Sequence, residues 1–389
     1  MLLFAVPLIL AACPGQAREE AAVTVYFANW DIYSDPDAQV KMLPWDRLDC
    51  INHAFWKIHN QDGQFSIVPT DAWADTDPGN PKAHFPQYAD MVKKYPNTDV
   101  FLSIGGWTCS GQFSAMCLTA ESRASFIRSC LDTLTAYPFL TGLDLDWEYP
   151  GVARNRGEND EGNPVLGDDR TNFTLLLKEL RQALDRQFGE GNKRLTICAG
   201  ASERILSHQD YAALHLYVDR INLMTYDLAE SRITGHHAPL YGDPSADSAV
   251  RYLEKCGVPE RKIAIGSPLY SHGWRDTEYK NAVGVPGKRS PDCTRTWKNV
   301  NRLEAAAVPS GTPGWHAGYD EQAQAAFLWN DDPPSGDYRT FLTYENRRSL
   351  TAKAEYVLRK NLGGVIVWES GGDGEQYLML THLYEALHQ

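Results

Sequence analysis

Short metal-binding motifs and an excess of basic residues are both missing from this sequence of 389 residues. No Cys-x-x-Cys or His-x-x-x-His spacing occurs, so the sequence predicts neither a metal site nor a cofactor. Lys and Arg number 37 against 50 Asp and Glu, which gives a net charge of -13. Because phosphate binding requires a basic face, this balance argues against nucleic acid as a partner. No internal repeat or low-complexity stretch is present.

The apolar run at the N terminus, from Met1 to Ala12, is too short to span a bilayer. It ends in small residues, which is typical of a secretory signal, so we expect residues 1–17 to be a signal segment of a secreted, extracellular protein. Leu10-Ala-Ala-Cys13 resembles the lipobox of bacterial lipoproteins, in which a lipid on Cys13 would anchor the mature chain to a membrane. Ordinary cleavage after Ala17 is the alternative, and no positive residue precedes the apolar run.

Export also permits disulfide bonds. Cys109 and Cys117 follow an apolar strand within a loop that contains Ser and Gly, and a bridge between them would close this short loop. An odd total leaves at least one free thiol. The adjacent residues His236 and His237 are predicted to be a solvent-exposed loop pair. The cysteines that remain after Cys13 are Cys50, Cys109, Cys117, Cys130, Cys198, Cys256 and Cys293.

Eight short apolar runs rich in β-branched and aromatic residues recur along the chain, separated by segments of helical periodicity such as Asp169 to Phe188. Repeated βα units close naturally into a (β/α)8 TIM barrel, with the active site at the carboxyl ends of the strands. We therefore predict an α/β fold whose catalytic barrel comprises residues 23–273 and 345–389. The predicted strands are Val23 to Trp30, Cys50 to Trp56, Asp99 to Gly105, Gly142 to Glu148, Arg194 to Ala199, Arg220 to Tyr226, Lys262 to Pro268 and Gly363 to Trp368.

One connection is too long to be a simple loop. Residues 274–344 contain Gly, Pro and aromatic residues with scattered strand-like pieces, and a structureless loop of this size is unexpected in a compact domain. We predict a small α+β subdomain inserted between strands seven and eight.

The most informative stretch is Phe139-Leu-Thr-Gly-Leu-Asp-Leu-Asp-Trp-Glu148, which alternates apolar and acidic residues with a period of two. In an extended strand Asp144, Asp146 and Glu148 share one face. Like charges this close raise one another's pKa, so at least one carboxyl group is expected to keep its proton at neutral pH. A protonated acid beside an ionised one suits acid-catalysed cleavage of a glycosidic bond. A divalent-metal site and a solvated acidic strand are the alternatives.

Aromatic residues at the ends of several predicted strands favour a saccharide as ligand, because the C–H faces of sugars pack on aromatic rings. Trp147 and Tyr149 also flank Glu148. Ordinary core packing is the alternative explanation for these rings. The aromatic residues at strand ends are Trp30, Phe55, Trp107, Tyr226, Tyr270 and Trp368.

Leu143-Asp-Leu-Asp-Trp-Glu-Tyr-Pro150 resembles the signature of the glycoside hydrolase family 18 chitinases, Asp-x-x-Asp-x-Asp-x-Glu on the fourth strand of a (β/α)8 barrel. Thr141 stands where the family has its first Asp. The resemblance extends from about Val23 to Asp373 and includes Ser103-Ile-Gly-Gly-Trp107, Asn222-Leu-Met-Thr-Tyr-Asp227 and Leu362-Gly-Gly-Val-Ile-Val-Trp368. In this family the insertion forms one wall of a substrate groove, and Gly318 to Phe327 is similar to a helical or strand segment there.

The resemblance implies hydrolysis of β-1,4-linked N-acetylglucosamine polymers by a retaining, substrate-assisted mechanism. Glu148 would be the general acid and then the base, while Asp146 would hold the acetamido N–H and share a proton with Asp144. Tyr226 would donate to the acetamido carbonyl, and Trp368 would form the floor under the sugar. The structural alternatives are that Tyr226 has a hydroxyl buried against a backbone carbonyl and that Trp368 only fills the barrel interior.

The implied partner is chitin or its oligosaccharides, bound by a monomer. One departure from the family is Tyr270-Ser271-His272, where the usual motif is Tyr-Gly-Arg, so a titratable group replaces a permanent charge. A chitin-binding lectin and an endo-β-N-acetylglucosaminidase acting on N-glycans are the competing functions. For Asp227, the alternative to substrate binding is that it caps a following helix. The further residues that match substrate-lining positions are Tyr26, Trp30, Phe55, Trp107, Met224, Asp227 and Tyr270.

Overall fold

The computed structural model describes residues 20–34, 39–277 and 283–388. The predicted signal segment, with Cys13, lies outside these residues. The strands are β1 (Ala22–Ala28), β2 (Cys50–Gln61), β3 (Gln64–Pro69), β4 (Asp99–Gly105), β5 (Gly142–Asp146), β6 (Arg194–Gly200), β7 (Arg220–Met224), β8 (Ile263–Pro268), β9 (His272–Arg275), β10 (Lys288–Arg289), β11 (Trp315–Asp320), β12 (Ala325–Asn330), β13 (Phe341–Tyr344) and β14 (Gly364–Trp368). The helices are α1 (Asp31–Ser34), α2 (Ala72–Asp75), α3 (His84–Lys94), α4 (Phe113–Cys117), α5 (Ala120–Ala136), α6 (Asp169–Phe188), α7 (Glu203–Leu206), α8 (Tyr211–Leu214), α9 (Ala246–Lys255), α10 (Trp297–Ala305), α11 (Arg347–Lys360) and α12 (Leu378–Leu387).

Eight parallel strands form a closed barrel in the order β1, β14, β8, β7, β6, β5, β4 and β2, and the pairing of β1 with β2 completes the ring. The predicted TIM barrel is therefore confirmed. Except for β2, each barrel strand starts and ends within two residues of the predicted bounds. The helix α6 has the predicted bounds. Strong apolar periodicity explains this agreement, because a strand buried on both faces reads as a short continuous apolar run.

The end of β2 differs from the prediction. This strand continues from Trp56 to Gln61 and pairs antiparallel with β3. The two strands are joined by Asp62 and Gly63, which both have positive φ values of 52° and 81°. Such a two-residue turn is typical of a β-hairpin. The predicted strand ends at Trp56 because the extension carries polar, exposed residues instead of an apolar run.

The chain between β8 and β14 contains a separate five-stranded antiparallel sheet in the order β10, β9, β13, β12 and β11, together with α10. The sheet begins at His272, two residues before the predicted start of the insertion. Gly318 to Phe327 spans the turn of the hairpin formed by β11 and β12. This sheet therefore stands beside the carboxyl ends of β7 and β8, next to the predicted active site.

Two local predictions are wrong. Cys109 and Cys117 are free thiols, as are the other five cysteines that the structure describes. Cys117 packs in the apolar core beside α5 and α6, whereas Cys109 is partly exposed. The pair predicted to be solvent-exposed is covered by the inserted sheet: His237 is buried, and His236 is partly buried, with its Nε2 atom 3.0 Å from Asp320 Oδ2.

The core has an outer and an inner part. Outward-facing side chains of the strands, such as Val25 and Leu145, pack with the surrounding helices. A smaller cluster fills the barrel interior near the carboxyl ends of the strands, and it includes Tyr26, Phe55 and Tyr226. Within the described ranges, no helix combines the length and the apolar character needed to cross a bilayer.

A buried carboxylate that the sequence analysis did not identify joins β2 to α2 and α3. Asp75 Oδ1 contacts His53 Nε2 at 2.9 Å and His84 Nδ1 at 3.2 Å. Its Oδ2 accepts from Trp56 Nε1 at 3.0 Å and from Asn29 Nδ2 at 3.2 Å. Although burial opposes ionisation, these histidines hold the pKa of Asp75 well below its usual range. With four donors directed at it, this cluster is explained as a structural hydrogen-bond network.

Candidate active site

The strand β5 presents its acidic and apolar residues to opposite sides of the barrel wall. Leu143 and Leu145 belong to the core shared with the helices. Trp147, which follows the strand, stacks on Phe113 at a centroid distance of 5.2 Å and is almost wholly buried. Trp147 is thus a packing residue. Since side chains alternate along a strand, Asp144 and Asp146 face the barrel interior.

Asp144 is fully buried and is surrounded by donors from four other strands. Its Oδ2 accepts from Tyr26 Oη at 3.0 Å and Ser103 Oγ at 2.7 Å. Its Oδ1 accepts from Thr196 Oγ1 at 2.5 Å and Asn222 Nδ2 at 3.0 Å. The Cys198 thiol adds a fifth, longer contact of 3.5 Å to Oδ2. Such a set of donors fixes the Asp144 side chain in place.

Asp146 lies one pleat further along β5 and has a different environment. Burial, together with the charges of Glu148 and Asp144, raises the pKa of Asp146 well above its usual value. Its Oδ1 atom is buried without a hydrogen-bond partner. A neutral carboxyl group with an unused oxygen is therefore available to a ligand that enters the cavity above it.

Glu148 follows β5 and lines the cavity. Its backbone N–H donates to Ser110 Oγ at 2.9 Å, which fixes the chain at the strand end. Burial raises the pKa of Glu148 to about 7, with a further contribution from the charge of Asp227. A hydrogen bond from Tyr149 and the nearby charge of Arg154 act in the opposite direction. Glu148 thus carries a proton over part of the neutral range, as a general acid requires.

The cavity next to these carboxyl groups is lined mainly by aromatic rings and has a volume of about 310 Å³. Trp368 lines it, with its ring stacked on Phe55 at a centroid distance of 5.6 Å and tilted against Tyr26 at 5.5 Å. The ring of Trp30 is 45% exposed and 6.2 Å from that of Trp368, and it extends the apolar surface outward. Every predicted catalytic and substrate-binding residue except Asp144 lines this cavity: Tyr26, Trp30, Phe55, Trp107, Asp146, Glu148, Met224, Tyr226, Asp227, Tyr270 and Trp368.

A second cavity of about 800 Å³ is not lined by Trp368, and the residues that it shares with the first are Trp107, Glu148, Tyr149, Met224, Tyr226 and Asp227. Its other lining residues include Arg154, Arg204, His272 and Arg289. Glu148 therefore stands between two cavities. A polymer that crosses both would have one sugar over Trp368 and its next sugars on the arginine-lined side of Glu148.

Asp227 lies where the two cavities meet, and its side chain is 53% exposed. Its Oδ1 accepts from Tyr270 Oη at 2.7 Å and contacts His272 Nε2. His237 Nδ1 is 3.8 Å from the same oxygen. Although burial opposes ionisation, the two histidines keep the pKa of Asp227 well below its usual range. No helix follows Asp227 directly, so the helix-cap alternative is wrong.

The group of Asp227, His237 and His272 has ligand atoms close enough for a metal ion. However, the Nη2 atom of Arg289 contacts His272 Nε2, the same nitrogen that would bind the ion. A guanidinium beside that nitrogen would repel a divalent cation. The residues present therefore do not fit a metal site.

The comparisons with known proteins agree with this geometry. A family model for the glycosyl hydrolases family 18 matches residues 22–373, which is most of the chain. The chain belongs to glycosyl hydrolase family 18. Among curated relatives, chitinase A1 of Niallia circulans is 30% identical over 432 aligned residues, which cover 95% of this chain and 59% of that protein. The chain spans about half the length of several curated relatives that it matches.

Two solved structures illustrate the similarity of the fold. Chitinase ChiA74 of Bacillus thuringiensis has a TM-score of 0.80 and 25% identity, with 95% of this chain and 70% of that chain covered. A family 18 N-acetylglucosaminidase of Paenibacillus barengoltzii has a TM-score of 0.75 and 29% identity, with 94% of this chain and 100% of that chain covered.

The departure from the family 18 signature at Thr141 lies away from the cavity. Thr141 precedes β5, and its Oγ1 accepts from the backbone N–H of Val100 at 3.1 Å. It also contacts the Val100 carbonyl at 3.3 Å. Thr141 therefore ties β5 to the adjacent β4, and the donors around Asp144 do not depend on it.

The glycines of the Ser103 to Trp107 motif allow close packing within the protein. A Cβ on Gly105 would lie 2.2 Å from the Asp146 carbonyl oxygen, and one on Gly106 would lie 2.6 Å from the Phe55 ring. Both residues also have positive φ values, of 113° and 82°. They allow β4 to pack against the end of β5 and against an aromatic side chain of the cavity.

Tyr26 is among the residues that line the cavity. It is almost fully buried, and its hydroxyl is engaged with Asp144, so it offers a ligand only the face of its ring. No sequence pattern identified Thr196 and Cys198 as donors to Asp144, or His237 and Arg289 as residues of the site. Ser103 and Asn222 were part of quoted motifs, and their inward positions on β4 and β7 could have identified them as partners of Asp144.

Proposed function

We propose that this chain hydrolyses the β-1,4 bonds of chitin and its oligosaccharides. The single observation that carries this proposal is the position of Glu148, a carboxyl group with a pKa of about 7, between an aromatic-lined cavity and a second cavity. Neutral sugar rings suit aromatic walls, and a proton is needed where the glycosidic oxygen would lie. Similar proteins are named chitinases, which supports chitin as the substrate class.

In the proposed mechanism, Glu148 donates its proton to the glycosidic oxygen as the bond to the anomeric carbon breaks. The acetamido oxygen of the sugar over Trp368 attacks that carbon, which forms an oxazolinium ion and so needs no protein nucleophile. Glu148, now ionised, removes a proton from a water molecule that attacks the same carbon. The acetamide is restored, and the product keeps the β configuration.

Asp146 and Tyr226 assist this reaction by holding the acetamido group. Asp146 is neutral before the reaction and offers its unpartnered Oδ1 to the acetamido N–H. The positive charge on the oxazolinium ion then favours ionisation of Asp146, whose proton passes to the neighbouring Asp144 and returns when the acetamide is restored. The ring of Tyr226 fits against β8 because Gly266 has no side chain, since a Cβ there would lie 2.7 Å from the ring. This packing fixes the direction of the tyrosine hydroxyl.

The activity is expected to fall as the pH rises through about 7. Glu148 must be protonated in the free enzyme, and its pKa is about 7, so the competent form is fully present below that value and is lost above it. Values of kcat/KM measured on a soluble N-acetylglucosamine oligomer should fall about tenfold per pH unit in the alkaline limb. An activity that stays constant up to pH 9 would remove Glu148 from the role of acid.

Two other functions are weighed against chitin hydrolysis. A lectin would not need the acid, and the retained Glu148 disfavours it. An endo-β-N-acetylglucosaminidase would use the same carboxyl groups on N-glycans, but the second cavity beyond Glu148 favours a linear polymer. Product analysis on N-acetylglucosamine oligomers of four to six units and on an N-glycosylated protein separates the two. We expect cleavage of the oligomers; release of glycans without oligomer cleavage would overturn the proposal.

We further propose that the mature protein is exported and acts as a monomer, with a lipid on Cys13. The apolar run that ends at Leu10-Ala-Ala-Cys13 supports export and the anchor. Mass spectrometry of the mature N terminus distinguishes a lipid on Cys13 from ordinary cleavage after Ala17, because a free Arg18 would refute lipidation.

A further inference from the structure

An arginine in the wall of the second cavity has no counterpart in the motifs that suggested the family. Arg289 lies on β10 of the inserted sheet, where it pairs with the buried residue Trp274 of β9. Its backbone N–H donates to the Ser231 carbonyl at 3.1 Å, and its Nη1 donates to the Ala229 carbonyl at 3.3 Å. These contacts position the guanidinium before a ligand binds, which reduces the entropy lost on binding.

The guanidinium of Arg289 is directed toward the residues that surround Asp227. Its Nη2 contacts His272 Nε2, and the same imidazole nitrogen contacts Asp227 Oδ1. Asp227, His272 and Arg289 thus form a row along the wall that begins where the two cavities meet. The contacts to His272 and Ala229 use two of the five N–H donors of the guanidinium, and the others are available to a ligand.

The other two arginines of this cavity are placed differently. The guanidinium of Arg154 lies over the Trp107 ring at 3.9 Å and pairs with Asp160. The guanidinium of Arg154 is therefore already occupied by contacts with Trp107 and Asp160. Arg204 is an exposed residue of the short helix α7. Of the three, Arg289 is the one that is both anchored to backbone and adjacent to Asp227.

We propose that Arg289 is a substrate-binding, specificity-determining residue that contacts the sugar on the leaving-group side of Glu148. The inserted sheet thereby supplies the permanent positive charge that His272 does not carry. Guanidinium N–H groups would donate to hydroxyl or acetamido carbonyl oxygens of that sugar, which needs no charge on the substrate. This inference rests on the proposed function, because it requires a chain of sugars that extends across Glu148.

Two substrates distinguish this role from a structural one. The N-acetylglucosamine tetramer must place sugar units beyond Glu148, whereas an aryl chitobioside places only a phenol there. For Arg289→Gln we expect KM for the tetramer to rise at least about tenfold with kcat little changed, as the loss of a charged hydrogen-bond donor implies. The effect on the aryl substrate should be below about threefold, since no sugar meets Arg289. Arg289→Lys keeps the charge and should recover part of the loss.

Lys288→Gln is the matched control, because Lys288 precedes Arg289 on the same strand, is exposed and does not line the cavity. Thermal unfolding of each variant checks that the fold is retained. Equal losses on both substrates, or no loss on the tetramer, would overturn the proposal. Titration of the tetramer into Glu148→Gln protein, with and without Arg289→Gln, measures the contact even if turnover of chitin is absent. In that titration we expect at least about tenfold weaker binding in the double variant, and equal binding would refute the contact.

Discussion

Glu148→Gln should abolish the release of reducing ends from colloidal chitin while leaving oligosaccharide binding intact. The amide has nearly the same size as the carboxyl group and can still form a hydrogen bond, but it cannot transfer a proton to the leaving oxygen or remove one from water. A positioned acid and base contribute about 10²- to 10⁴-fold, so kcat is expected to fall by at least that amount. Initial rates on a soluble oligomer and a binding titration with the same oligomer measure the two effects separately.

Glu158→Gln provides the matched control for this prediction. Glu158 lies ten positions further along the chain, is exposed and belongs to the loop that follows Glu148. The same chemical change at this position should leave both the rate and the affinity close to those of the unaltered protein. Unchanged turnover in Glu148→Gln would show that another residue supplies the proton.

Asp146→Asn should lower kcat by at least about one hundredfold, the usual size of electrostatic and acid–base contributions at such a position. Asp146 is already neutral before the reaction because burial and its charged neighbours raise its pKa. The substitution therefore changes little in the resting enzyme. Its expected cost arises later, because the amide cannot ionise when positive charge develops on the sugar. The prediction is checked with kcat on an N-acetylglucosamine oligomer at the pH of maximal activity.

The neighbouring Asp144→Asn provides a useful contrast. Asp144 accepts from donors on four strands, and an amide would direct its own N–H groups at some of them. We expect this variant to unfold at lower temperature, whereas Asp146→Asn should keep its unfolding temperature, because Asp146 Oδ1 has no partner to lose. A loss below tenfold in Asp146→Asn with a normal melting temperature would count against the substrate-assisted mechanism.

The barrel and the acidic row were accessible from the sequence because both depend on local periodicity. Apolar runs marked the strands, and the alternation around Asp144 placed its carboxyl group on the inner face. The aromatic cavity followed from rings at strand ends. These features require only that eight parallel strands close into one ring, which brings their carboxyl ends together.

The features that the sequence did not predict depend on contacts between distant segments. The hydroxyl of Tyr26 is engaged by Asp144, 118 positions away, and no local pattern indicates this pair. His237 is buried because a sheet from a later part of the chain covers it. Burial lowers the pKa of His237 to about 4, so it is neutral at neutral pH. Arg289 faces the cavity because of how β10 pairs with β9, which the polar sequence around it did not reveal.

The most direct test of the substrate-assisted mechanism is the configuration of the first product. Proton NMR spectra recorded during the first minutes of hydrolysis of an N-acetylglucosamine hexamer resolve the α and β anomers of the new reducing ends. Attack by the acetamido oxygen, followed by water activated by Glu148, predicts that the β anomer forms first and then equilibrates. Initial formation of the α anomer would mean direct attack by water and would contradict the mechanism assigned to Asp146 and Glu148.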